Sequence, residues 1–176
     1  MLSSDGANQQ PCIIFNLLLQ LAPVNHPLAL ETPRGPLEAR GWLRYSIGST
    51  AAAAEYGLKS LAPFLGRDFT GQGGVADYFR LVTDILTVHA MTFEKESSWM
   101  VDTDLHMVEL RGKGCFSWKD TGKVCEEEFF YRIQLAQEEC HTAQQGQWKV
   151  QDYRVWSDTG AAYLAHIHQL GKMYNP

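Results

Sequence analysis

The stretch LHMVELRGKGCFSWKDTGKVCEEEFFYRIQLA, Leu105–Ala136, contains two apolar and aromatic runs separated by Lys119-Asp120-Thr121-Gly122-Lys123. Branched and aromatic residues broken by a short Gly-containing polar run specify two strands joined by a hairpin. Gly112 and Gly114 interrupt the first run and predict a bulge or bend that helps a sheet curl round an interior. Outward from this hairpin, His89–Lys95 and Trp99–Asp102 precede it with the same strand-like order. Trp148–Trp156 follows it across the polar connection Gln137–Gln147. Together these segments predict a curved, mainly antiparallel sheet.

Upstream the period changes. Val75, Tyr78, Phe79, Val82, Ile85 and Leu86 recur at helical spacing, with Asp77, Arg80 and Asp84 left for water, so Val75–Leu86 reads as a helix lying on the core. Ala51–Leu65 also reads as a helix, capped by Ser49-Thr50 and distorted by Pro63, and Leu37–Ser46 as a shorter one. Gly66–Gly74 is a loop with a brief extended piece at Asp68-Phe69-Thr70. After the last strand, Asp158 is placed to cap a helix over Thr159–Leu170, which Gly171 ends. Thr32-Pro33-Arg34-Gly35-Pro36 separates a variable arm, 1–36, from a domain over 37–176.

The 176 residues are 45% hydrophobic and 11% aromatic, enough to enclose a core, which excludes a disordered chain. A net charge of -5 without a long Lys/Arg run argues against nucleic acid or an anionic membrane as the main partner. A neutral or weakly charged partner fits better, and the aromatic content suits a small hydrophobic molecule. Cys12, Cys115, Cys125 and Cys140 form no CxxC pair and accompany no secretory segment, so reduced cysteines and a cytoplasmic location are expected. Cys115 and Cys125 could oppose each other across the hairpin, or serve as small core residues. The apolar run Cys12–Leu21 is too short to span a bilayer and reads as a docking helix or extended arm, without stable membrane insertion.

Between Phe64 and Gly171 the chain carries Asp77-Tyr78-Phe79, Val101-Asp102, Val108-Glu109-Leu110-Arg111-Gly112, Phe116-Ser117-Trp118-Lys119-Asp120-Thr121-Gly122-Lys123, Phe129-Phe130-Tyr131-Arg132-Ile133 and Tyr153-Arg154-Val155-Trp156-Ser157-Asp158. In this order they resemble the nuclear-transport-factor-2-like (NTF2-like) superfamily, in particular its SnoaL-like polyketide-cyclase branch, as found among fungal proteins. The resemblance implies an α+β cone, a highly curved, mostly antiparallel sheet packed by N-terminal helices round a hydrophobic pocket. It also implies a homodimer formed through the exposed sheet face. Members of the superfamily include isomerases, dehydratases and cyclases as well as noncatalytic binding modules. The implied activity is a cofactor-independent cyclase, isomerase or dehydratase moving protons on a polyketide- or terpenoid-like carbonyl compound. The alternative is a noncatalytic ligand-binding or dimeric scaffold protein.

Such chemistry needs a carboxylate or His to move a proton and a Tyr or His to support the developing oxygen charge. On Val124–Leu135, Glu127, Phe129 and Tyr131 share a face with Cys125 and Ile133, which makes Glu127 a base and Tyr131 a donor if that face, rather than its alternate, is the interior. On the last strand Trp148, Val150, Asp152, Arg154 and Trp156 share one parity and Lys149, Gln151, Tyr153 and Val155 the other, so Asp152 can approach a Trp-lined cavity if the first face points inward, or else pair with Arg154 or face solvent. Asp158 is a candidate acid as well as a cap. His89 can look in from the mouth as acid, base or donor, with Phe93 on its face. Phe93, Phe129, Trp148 and Trp156 would form the substrate walls. Asp102 and Asp104 shape a turn, and His166 and His168 lack the spacing of a metal pair, so no metal site is expected. Gly66, Gly71, Gly73 and Gly74 make no phosphate cradle, and no Ser-His-acid motif is present.

Overall fold

The chain pairs Val124–Glu138 on both sides, and this strand organises the architecture. A computed structural model describes residues 47–138 and 147–167. In chain order these form β1 (Ile47–Tyr56), β2 (Asp68–Thr70), α1 (Gly71–Ile85), β3 (Leu86–Phe93), a 3-10 turn (Glu96–Ser98) and β4 (Met100–Asp102). Then follow β5 (Met107–Trp118), β6 (Val124–Glu138), β7 (Gln147–Ser157) and α2 (Thr159–His166). The sheet runs β2-β1-β7-β6-β5-β3, with β4 added beside β5. Every pairing is antiparallel except β1 with β7.

The expectation of a highly curved sheet is corrected. The sheet is open: its path ends on two different strands, β2 and β3, which do not pair. Gly112 and Gly114, read as a bend, sit in an unbroken register, with Gly112 opposite Phe129 and Gly114 opposite Glu127. Their function is close approach. A Cβ on Gly112 would stand 2.9 Å from the Tyr131 ring and 3.0 Å from that of Phe93, and one on Gly114 would stand 2.3 Å from the Phe116 ring.

The helix expected over Ala51–Leu65 is also corrected. Its first half is β1, held between β2 and β7, with Ala51, Ala53 and Ala54 almost fully buried. Alanine favours helix in isolation, but pairing on both sides overrides that preference. The chain then turns back, and Gly66 N donates to Glu55 O at 2.7 Å, which leaves Phe64 and Leu65 in the core. The helix Leu37–Ser46, the arm 1–36, Cys12, Cys140, His168 and the end at Gly171 lie outside the described residues.

Among the described residues two helices cover the sheet. α1 follows its sequence period, turning Val75 and Tyr78 into the core while Arg80 pairs outside with Asp77 and Asp84 at 3.4 and 3.0 Å. Asp158 caps α2, its Oδ1 accepting from Gly160 N at 3.2 Å. The hairpin closes as expected, with Gly122 at φ 66° and Trp118 N donating to Lys123 O at 2.9 Å. Cys115 lies opposite Glu126, and Cys125 opposite Phe116, so the two thiols are one residue out of register and both are free. Among the described residues no helix is long and apolar enough to cross a membrane.

Candidate functional site

Between α1 and one face of the sheet lies a cavity of about 120 Å³. Phe93, Tyr131, Phe116 and Met91, which pack over Gly112 and Gly114 of β5, are among its walls. Phe129 and Tyr131 of β6, Tyr153 and Val155 of β7, and Tyr78 of α1 form its buried walls. Phe79, Val82 and Thr83 of α1 and Val88, Met91 and Phe93 of β3 are less buried, which puts the mouth between α1 and β3.

Two carboxylates, Glu55 of β1 and Glu127 of β6, face this largely apolar space, and both are over 90% buried. Among the described residues no Lys or Arg lines it. Tyr78 donates its hydroxyl to Glu55 Oε2 at 2.6 Å. Burial pushes the Glu55 carboxyl above its usual range, while the hydroxyls of Tyr78 and Ser157 pull it back. Burial, then the charges of Glu55 and Asp158, push Glu127 up to about 8. Its Oε1 is sealed from solvent without a partner among the described residues. Burial also raises Tyr131 and Tyr153, so both phenols stay protonated at neutral pH. Neither hydroxyl donates to a described residue, which leaves them available to a ligand oxygen.

Of the residues expected from the sequence, Glu127, Tyr131, Phe93 and Phe129 come together in this cavity. Two bulges move others away. On β3 the register steps from Val88–Phe116 to Ala90–Cys115, so His89 is the extra residue. Val88, Met91 and Phe93 then point inward while His89 stands exposed, its Nε2 2.8 Å from Ser117 Oγ. On β7 the step from Asp152 to Val150 against consecutive residues of β6 makes Gln151 the extra residue. That flips the parity: Val150, Tyr153 and Val155 go inside, and Asp152, Arg154 and Trp156 go outside. Arg154 Nε binds both oxygens of Asp152, at 2.8 and 3.0 Å, and its Nη1 reaches Asp68. Trp156 stacks on Tyr56, ring centres 5.2 Å apart, and Trp148 packs against His106 away from the cavity. Asp158 caps α2 and acts on the cavity only through its charge on Glu127.

Sequence reasoning missed Glu55, Tyr78 and Tyr153 as site residues. Glu55 was hidden in the alanine-rich segment read as helix. Tyr153 was grouped with Lys149 and Gln151 by strict alternation, with the inward face of the strand left open. Cys125, beside Glu127, is pushed up to about 12 by burial, so it stays a thiol and packs rather than reacts. Among the described residues no cluster of His, Cys, Asp or Glu is arranged to hold a metal ion.

No family model and no curated protein matches the sequence. Solved structures share its shape. A provisionally assigned isomerase from Rhodopseudomonas palustris is 14% identical with a TM-score of 0.59, over 94% of this chain and 99% of its own. An NTF2-like protein from Burkholderia xenovorans is 14% identical with a TM-score of 0.57, over 90% and 95%. A provisionally assigned SnoaL-like polyketide cyclase from Mesorhizobium loti is 13% identical with a TM-score of 0.52, over 85% and 96%. At these identities the likeness is one of architecture, and the chain has an NTF2-like α+β fold.

Proposed function

We propose that the protein is an isomerase or cyclase that moves a proton on a small hydrophobic carbonyl compound held between α1 and the sheet. One observation carries this reading: two buried carboxylates, Glu55 and Glu127, face the same apolar cavity with no cation among the described residues to neutralise them. Two acids confined in this way resist both being ionised, and a group held near 8 is poised for proton transfer at neutral pH. Tyr78's hydrogen bond favours the charge on Glu55. Glu55 therefore removes the proton next to the carbonyl, Glu127 returns one as the acid, and Tyr131 and Tyr153 donate to the oxygen as it gains charge. A cavity of about 120 Å³ holds roughly one ring, with the remaining skeleton at the mouth. The protonatable pair favours this reading over a purely binding role, and the names of the isomerase and cyclase that share the fold agree with it.

The test is incubation of the full chain with a panel of hydrophobic ketones and polyketide-like carbonyl compounds, followed by mass spectrometry. Glu55→Gln and Glu127→Gln are each expected to lower turnover by roughly 10²–10⁴-fold, with folding retained. Asp152→Asn is expected to leave it within a few-fold. Turnover that survives both Glu changes would refute the assignment. The outer face, where Tyr56 and Trp156 are 38% and 39% exposed and Phe130 packs against Trp156, is the surface proposed for a homodimer. Sedimentation as a monomer at micromolar concentration would exclude that.

A further inference from the structure

Next to the first cavity, and sharing Glu55, Phe64, Leu86 and Glu127 with it, lies a second chamber of about 20 Å³. It is lined by Glu55 and Glu127 and also by Trp118, Cys125 and Thr159. Two of these residues hold polar atoms that are sealed from solvent and have no hydrogen-bond partner among the described residues: Trp118 Nε1 and Glu127 Oε1. One is an obligate donor, the other a carboxyl oxygen. Orphaned groups of this kind are uncommon in protein interiors and costly unless satisfied. Thr159 Oγ1 accepts from Leu58 N at 2.9 Å, so its own hydroxyl proton remains to be given.

We propose that this chamber binds a single water molecule that links Glu55 to Glu127 and relays a proton between them. The space suits one water, which needs at least about 10–15 Å³ and two to four polar partners. The partners divide evenly. In the resting state Trp118 Nε1–H and Thr159 Oγ–H donate to the water, and the water donates to Glu127 Oε1 and to the Glu55 carboxylate, whose Oε2 is already held by Tyr78. Once Glu55 is protonated, the Thr159 hydroxyl rotates away, its lone pair on the water is taken by the Glu55 proton, and the water turns its second proton to Thr159 Oγ. This role rests on the acid–base reading of the front cavity. After turnover Glu55 carries the proton taken from carbon and Glu127 lacks the one it gave. Glu55 gives its proton to the water, the water gives one of its protons to Glu127, and the pair returns to its starting state without a proton from bulk solvent. No atom is gained or lost in the cycle. Thr159 and Trp118 are positioning residues, since they act only through the water.

The test combines a high-resolution crystal structure of the full chain with a titration of Glu127 followed by ¹³C NMR of its side-chain carboxyl. A water within about 3.2 Å of both Trp118 Nε1 and Glu127 Oε1 is expected. Trp118→Phe keeps the ring but removes the donor, so it is expected to raise the midpoint of Glu127 by about one pH unit. The titratable groups facing Glu127, namely Glu55, Asp158, Cys125 and Tyr131, are unchanged in that variant. If Trp118→Phe does not fold, Thr159→Ser, which keeps the hydroxyl, and Thr159→Ala, which removes it, provide the same contrast. A dry chamber, or a Glu127 midpoint indifferent to these changes, overturns the relay while leaving the acid–base reading intact. An ordered water together with turnover that survives loss of both carboxylates overturns the acid–base reading, and the relay with it.

Discussion

Asp152 and Tyr153 are neighbours on β7, yet the two faces of the sheet treat an acid in opposite ways. On the outer face, Asp152 and Asp68 share the guanidinium of Arg154 near solvent. On the inner face, Glu55 and Glu127 lie among aromatic rings with only neutral hydroxyls near them, and burial drives both carboxyls upward. What separates the two environments, among the described residues, is whether a cation reaches the carboxylate. A protein gains little from leaving acids unpaired in its core unless their protons are put to use.

The largest effect that tests this contrast is the dependence of stability on pH. The unfolded Glu127 carboxyl loses its proton near 4.5, whereas the folded one keeps it to about 8. Within that window the unfolded state binds fewer protons, so stability falls as pH rises, by on the order of a few kcal/mol for this group. Below 4.5 both states are protonated and the loss disappears. Thermal melts should show Glu127→Gln removing part of the slope, with Glu55 supplying the remainder. A wild-type protein equally stable at pH 5 and pH 8 would break the contrast.

A smaller effect concerns the space itself. Gly114→Val places atoms where the Phe116 ring and Met91 Sδ stand within 2.3–2.7 Å of a Cβ. Destabilisation of roughly 1–3 kcal/mol and loss of binding of small aromatic probes are expected, measured by denaturant unfolding and calorimetry. On the outer face, Asp152→Asn should cost only about 1 kcal/mol, less in high salt, because the Arg154 pair is partly exposed and Asp68 remains. The smallest effect is expected for His89→Ala, within about 0.5 kcal/mol, since its ring is exposed on a bulge and bonded only to Ser117.

These faces were only partly legible in the sequence. The β5–β6 hairpin and α1 announce themselves, because their periods of 2 and 3.6 run without interruption through residues of contrasting polarity. Glu127, Phe129 and Tyr131 were therefore grouped on one face, since β6 keeps its register from Val124 to Gln134. In β1 four consecutive alanines carry no alternation, and only pairing with strands distant in sequence makes them a strand. Glu55 was lost with them. His89 and Gln151 are single extra residues whose existence depends on the neighbouring strand, so counting by twos left open which face of β7 is the interior, and of the two readings of Asp152 the structure has the Arg154 pair. Gly112 and Gly114 were read as a bulge or bend, whereas the absence of a side chain there makes room for the rings of Phe93, Phe116 and Tyr131.

The central claim is that Glu127 is a buried, cation-free acid facing the cavity. A ¹³C NMR titration of its side-chain carboxyl in the intact chain tests this most directly. A midpoint near 8 is expected, falling in the Glu55→Gln variant as the neighbouring charge is removed. A midpoint near the ordinary 4.5, unmoved by the loss of Glu55, would contradict it.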